Sequence, residues 1–138
     1  MTKILEPIDK TQARMKNPLV LAYIGDTVYD LYFRMRAVKQ TDALVHKLNK
    51  EVSSLVNAHA QSQAASVVDP MLTEEERYIY TRGRNAKSAT TPKNMSVVDS
   101  RRATGLEALL GYLYLTGENG RIDELMQAIT ESLNTEEK

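Results

Sequence analysis

Apolar residues recur at spacings of three and four over most of this chain, the repeat of helices that turn one face to a core. From Pro18 to about Ala37, Leu21, Ile24, Val28, Leu31 and Met35 form one stripe, and Asn17-Pro18 supplies a cap followed by proline at the first helical position. A second helix is expected to start at the Thr41-Asp42 cap and bury Leu44, Val45, Leu48, Val52, Leu55 and Val56. It should run to Asp69-Pro70, because the residue before a proline resists the helical conformation. Thr73-Glu74-Glu75-Glu76 reads as a capping box opening a helix with Tyr78, Ile79 and Arg82, whose end Gly83 should weaken. Residues 84–96, RNAKSATTPKNMS, have no apolar period and surround Pro92, the mark of a loop. The helical pattern returns from Val97 to Leu115 through Leu106, Leu109, Leu110 and Leu113, with Gly117 as C-cap. It returns once more from about Ile122 to Leu133, with Ile122, Leu125, Met126, Ile129 and Leu133 on one face.

No alternating strand-like run, internal repeat or dividing linker interrupts this pattern, so the expected fold is all-α. It is a single compact helical domain over residues 1–138, with its core in about 15–133. A chain of this length buries about two-thirds of its unfolded surface, enough for one core without staples. There is no cysteine, which excludes disulfides and thiolate metal sites. The N-terminus has no apolar signal region and no run approaches 18 apolar residues, so a soluble, cytoplasmic protein without a membrane partner is expected.

Net charge is zero, with 18 basic and 18 acidic residues, which argues against a uniformly basic nucleic-acid binder. The distribution is uneven. Residues 1–76 carry 9 basic and 10 acidic side chains, residues 77–102 carry 7 and 1, and residues 103–138 carry 2 and 7. One short segment thus holds a net +6. Either its cations pair with the acidic C-terminal third, or they remain available to phosphate within a screening length of roughly 10 Å.

Two helices carry a carboxylate inside an otherwise apolar segment. Asp26 sits in LVLAYIGDTVYDLYF, with Ala22 one turn before it and Gly25 beside it. Glu107 sits in TGLEALLGYLYL, with Ala103 and Thr104 a turn before and Gly111 a turn after. An ionised carboxylate in such a setting costs several kcal/mol unless a cation or donors compensate it. Mg²⁺ is a natural compensator, because it takes oxygen ligands and is often held by only one or two protein carboxylates. Capping of a neighbouring helix or pairing with an arginine would account for the acids equally well. Asp30, one turn after Asp26, is either a further ligand or a solvent-facing partner of Arg34. His46 and His59 are too far apart for a metal pair at helical spacing, and the seven tyrosines suit helix packing better than base stacking.

NPLVLAYIGDTVYDLYFR resembles the helix bearing the ribonuclease III signature, whose core reads leucine or isoleucine, glycine, aspartate. TGLEALLGYLYLTGE resembles that family's second acidic helix, and RGRNAKSATTPKN between them resembles the basic loop of its Mini-ribonuclease III branch, which lacks a separate double-stranded-RNA-binding domain. The resemblance implies an endoribonuclease that cuts double-stranded RNA with Mg²⁺, leaving 5′-phosphate and 3′-hydroxyl ends. It makes Asp26 and Glu107 the catalytic acids and metal ligands. Full-length ribonuclease III has further acids where this chain has Ala22 and Thr104, which leaves the number of metal ions open. Arg82, Arg84, Asn85, Lys87, Lys93 and Asn94 would grip the RNA backbone. The family implies a homodimer with one site per subunit, and the branch implies maturation of precursor large-subunit (23S) ribosomal RNA, with or without help from a ribosomal protein. Two other classes stay open: a catalytically silent relative that binds structured RNA, and a helical protein-interaction module.

Overall fold

The structure, a computed structural model, describes residues 3–86 and 96–136. Their regular structure is helical throughout: α1 (Lys10–Arg14), α2 (Pro18–Gln40), α3 (Val45–Val56), α4 (Ala58–Val68), a single 3₁₀ turn (Asp69–Met71), α5 (Glu74–Asn85), α6 (Val97–Leu115) and α7 (Asn119–Glu136). No strand occurs among the described residues. The expectation of an all-α fold holds.

Local chemistry fixes most of the helix ends. The Asn17 side chain accepts from the Leu19 amide, with Pro18 in the first turn of α2. Thr73 and Glu76 form the reciprocal capping box of α5. Gly117, at φ 77°, ends α6 in a Schellman turn, with the Glu118 amide donating to the Leu113 carbonyl at 2.8 Å and the Gly117 amide to the Tyr114 carbonyl at 3.1 Å.

Helix α6 is the centre of the molecule. Leu106, Leu109 and Leu110 are fully buried, and α1, α2, α4, α5 and α7 all pack on this helix. Complete burial of each leucine contributes about 1.5–3 kcal/mol, so a helix apolar on every side is stable only as a surrounded axis. Helix α7 closes one flank with Ile122, Leu125, Met126 and Ile129, as its period predicts. Glu76 is buried but paired: Arg121 Nε donates to Oε2 at 2.8 Å and Nη2 to Oε1 at 2.9 Å, which ties the start of α5 to α7.

The sequence reading needs correction at four places. The segment expected as one helix from Thr41 to Asp69 is two, because Asn57 adopts an extended conformation (φ −72°, ψ 167°) and its side chain caps α4 at the Ala60 amide. Helix α3 also begins later than expected, at Val45, so Leu44 and Val45 are exposed and only Val52 of its apolar set is fully buried. On α2 the core takes Leu21, Ala22, Gly25, Val28, Tyr29, Phe33 and Ala37, whereas Leu31 and Met35 face outward. Gly83 does not weaken α5. It lies in the helix against α6, where a Cβ would come 2.7 Å from the Ala108 Cβ and 3.0 Å from the Gly105 Cα. The short α1, capped by Asp9, has no counterpart in the sequence pattern.

Candidate active site

Two glycines bring α2 and α6 together. Gly25 and Gly111 occupy the crossing, and Leu21 and Glu107 present main-chain carbonyls directly above them. Without Cβ atoms on either side the backbones meet, and the side chains next to the contact, Asp26 on α2 and Glu107 on α6, face each other. Asp26 is exposed and Glu107 is half-buried. The two acids that sequence reasoning singled out are thus brought into one site.

The electrostatics of the site follow from this approach. Burial, then the hydrogen bond and charge of Asp26, push the Glu107 carboxyl up to about 9, against a smaller opposing effect of a hydrogen bond from Gln61. Tyr29, fully buried below, has its phenol pushed up by burial and by the Glu107 charge, and donates to the Leu55 carbonyl at 3.4 Å. Gln61 on α4 was not anticipated. It is 3 % exposed, its Nε2 donates to the Val56 carbonyl at 2.9 Å, and its Oε1 is buried without a hydrogen-bond partner. A buried orphan acceptor is costly. Its signal in the sequence is a glutamine on the same helical stripe as Ala65 and Val68.

Two facing carboxylates form a pair of hard oxygen donors that suits a divalent cation of the Mg²⁺ type. No group of three or more acidic, histidine or cysteine residues arranged to hold a metal occurs among the described residues. Asp30 does not join the site, because Arg34 Nε pairs with its carboxylate at 2.7 Å. Ala22 is buried, and the Thr104 hydroxyl donates to the Ser100 carbonyl of its own helix at 3.0 Å. Both histidines are exposed, and His59 Nδ1 lies 3.0 Å from Asp99 Oδ2, away from the carboxylate pair.

The described cations of the +6 segment do not pair with the acidic C-terminal third. Arg77 bonds to Asp69, and Arg102 to the Ser66 hydroxyl. Arg82 donates to the carbonyls of Arg14 at 2.7 Å and Lys16 at 3.4 Å, while exposed Arg84 donates to its neighbour Asn85 at 3.4 Å. The acids of the C-terminal third instead engage Lys10, Tyr32 and Arg121. Arg82, Arg84 and Asn85 stand together at the end of α5, and its Gly83 packs on α6 at Thr104 and Gly105, one turn from Glu107. Lys87, Lys93 and Asn94 lie outside the described residues.

The sequence profile described as Ribonuclease III domain matches residues 19–118, which include both acids. The chain is 44 % identical to the Mini-ribonuclease 3 of Clostridium tetani over 125 residues, 90 % of this chain and 83 % of that relative. It is 50 % identical to the Mini-ribonuclease 3 of a Thermoanaerobacter species over 111 residues, 80 % of this chain and 78 % of the relative. The crystal structure of a protein from Fusobacterium nucleatum is similar in fold, with a TM-score of 0.78 at 32 % identity, covering 89 % of this chain and 96 % of that one.

Proposed function

The chain belongs to the ribonuclease III family, in its Mini-ribonuclease 3 branch, and is therefore an endoribonuclease of double-stranded RNA; from that premise we propose that it is a Mg²⁺-dependent cytoplasmic homodimer that matures precursor large-subunit (23S) ribosomal RNA. The observation that carries the Mg²⁺ part is the pair Asp26 and Glu107, which face each other with Gln61 donating to Glu107. Asp26 and Glu107 would hold the cation. Bound there, it would activate a water and neutralise charge on the scissile phosphate and the leaving oxygen.

The chain's own groups account for the rest. Glu107 holds a proton in the absence of a cation, because its burial and the facing Asp26 both disfavour ionisation. Gln61 donates to Glu107 and so fixes its orientation. Arg84 and Asn85 at the end of α5, with Arg82 and with Lys87, Lys93 and Asn94 of the following segment, would hold phosphates and 2′-hydroxyls, by which A-form RNA is read.

The homodimer is supported by the outer face of α2. Tyr23, Thr27, Leu31 and Met35 recur every fourth residue, and Tyr23 is 78 % exposed. Together with Ile122 and Met126 of α7 they line a groove of about 1170 Å³. Contiguous apolar surface of this kind marks an interface. Asp26 lies at the edge of the stripe, which would put one carboxylate pair on each side of a two-fold seam and one in reach of each RNA strand. No helix of the described residues is long and apolar enough to cross a membrane.

The test is incubation of the protein with a long RNA duplex and with a DNA duplex of the same sequence, each with and without Mg²⁺. The expected result is cleavage of the RNA alone, only with the ion, leaving 5′-phosphate ends. Tight RNA binding with no cutting at any Mg²⁺ concentration would replace this reading with a catalytically silent RNA binder. An excised stem of precursor 23S ribosomal RNA should be cut at discrete positions. Its survival under conditions where generic duplex is cut would remove the ribosomal assignment.

A further inference from the structure

At the turn into α2 a second cluster of cations surrounds one tyrosine. Tyr78, on α5, is about half exposed, and the guanidinium carbons of Arg14 and Arg82 lie 5.2 and 5.7 Å from its ring centroid. Arg82 spends its donors on the main-chain carbonyls of Arg14 and Lys16, which neutralise nothing, so it keeps its full charge while locking the turn. Arg14 and Lys16 themselves are exposed. None of Arg14, Lys16, Arg82 and Arg84 forms an ion pair with an acid among the described residues. Of the acids on the first turn of α5, Glu75 accepts from the Tyr112 hydroxyl at 2.6 Å, and Glu74 lines, with Arg77, Tyr78 and Arg82, a shallow cleft of about 470 Å³.

The position of this cluster relative to the carboxylates follows from helix geometry. Pro18, which lines the cleft with Tyr78, Arg82 and Asn85, stands eight residues before Asp26. Pro18, Ala22 and Asp26 recur every fourth residue and share one face of α2, so the cleft and the carboxylate pair open on the same side, about 12 Å apart at 1.5 Å per residue. Exposed cations without acidic partners, two of them oriented by an aromatic ring and a locked turn, match a run of backbone phosphates better than an apolar or cationic partner.

We propose that Arg14 and Lys16, with Arg82 locking the turn between them, form a second phosphate-contact site that holds the backbone of the RNA duplex at a distance from the bond that is cut. The proposal rests on the reading of Asp26 and Glu107 as the cutting centre. It gives the chain a grip on its substrate at a distance from that centre and independent of the segment after Asn85. It also explains why Arg82, on α5, is committed to the turn before α2: the contact ties the two phosphate-binding ends of the site into one rigid piece.

The experiment compares the full-length Asp26→Asn protein with the same protein carrying Arg14→Gln and Lys16→Gln, binding a long blunt RNA duplex across a salt series. Losing two contacts should weaken binding about tenfold at low salt and flatten the slope of log affinity against log salt by between one and two. Thermal unfolding should stay unchanged, because Arg82 is held by the main chain of residues 14 and 16. With Asp26 intact, KM should rise while kcat is kept. The pair Arg14→Lys and Lys16→Arg, which keeps both charges, should restore most of the affinity. An unchanged salt slope in the Gln variant overturns the proposal, as does a loss of affinity that the charge-conserving pair fails to restore. If the parent protein neither binds nor, with Asp26 restored, cuts the duplex, the reading of the cutting centre falls together with the proposal; if the parent does both and the Gln variant keeps the parent's affinity and salt slope, the proposal falls alone.

Discussion

Gly25 and Gly111 face each other across the crossing of α2 and α6 so closely that a Cβ on Gly25 would lie 1.6 Å from the Glu107 carbonyl oxygen, and one on Gly111 would lie 1.8 Å from that of Leu21. The obstructing atoms are main chain, so no side-chain rotation relieves the clash. Gly25→Ala or Gly111→Ala must therefore separate the two helices that carry Asp26 and Glu107. Each should cost more than about 3 kcal/mol and lower Tm by roughly 10 °C or more. Calorimetry of purified variants is the measurement, and a Tm within ~2 °C of the parent would show that the crossing is looser than described.

For the carboxylates the expectation is opposite: chemistry lost, fold kept. Asp26→Asn and Glu107→Gln preserve shape and remove a charge directed at the cation, so each should reduce cleavage at least ~100-fold while RNA binding stays within about twofold. Gln61→Leu removes the orphan oxygen and the donor to Glu107. It also leaves the Val56 carbonyl without its donor, which offsets the gain from losing the unpaired acceptor, so stability should change by less than about 1 kcal/mol while cleavage falls about tenfold. Near-normal turnover of either acid variant at saturating Mg²⁺ removes that acid from the site.

The pH dependence of stability should carry the signature of Glu107. An unfolded glutamate titrates near 4.5 and the folded one near 9 without a cation. Between those values the folded chain retains a proton that the unfolded chain has released, so this group's contribution to stability is lost as pH rises from about 4.5 and levels off above about 9. A divalent cation binds the ionised carboxylates, so Mg²⁺ should raise Tm little at about pH 5 and clearly more at about pH 8. Glu107→Gln should flatten the pH trend and abolish the Mg²⁺ effect. Equal Mg²⁺ shifts in parent and variant would place the ion elsewhere.

Much of this arrangement was legible in the sequence wherever its cause is local. The Thr73/Glu76 capping box, the Asn17-Pro18 start and the Gly117 stop depend on residues a few positions apart, and each is where the pattern puts it. Errors arose where tertiary contacts decide. Leu31 and Met35 continue an apolar period, but periodicity does not say which of two apolar faces of α2 meets the core. Asn57 interrupts no apolar repeat, and the break there comes from its turning to cap α4. Gly83 looks like a helix terminator until α6 is set against it. Asp26 and Glu107 were visible as acids in apolar helices, and their meeting needed the glycine crossing. Gln61 was missed because a glutamine among alanines and serines carries no charge to draw the eye, although its place on the buried stripe of α4 is a polar residue where an apolar one belongs.

The outer face of α2 carries the last prediction. Leu31 is 54 % exposed and Tyr23 more so, which means a charge there should barely disturb one subunit taken alone, within about 0.5 kcal/mol. The groove they line is closed on its α7 side by bonds from the Tyr32 hydroxyl to Asp123 and from Arg36 Nη2 to Asn134 Oδ1 at 3.1 Å, so it is a formed surface ready for a partner. If a second copy covers it, Leu31→Glu or Tyr23→Asp puts two like charges across the two-fold seam in an apolar setting, where they are strongly unfavourable. The protein should then change from dimer to monomer at micromolar concentration by analytical ultracentrifugation, with the helical circular-dichroism signal kept. Cleavage of both strands should fall at least ~tenfold, because a lone subunit presents one carboxylate pair to a duplex that needs two cuts. Nicks in single strands should persist at higher enzyme concentration. A Leu31→Glu protein that remains dimeric would move the interface off α2, and a monomer that still makes paired cuts would break the link between assembly and cutting.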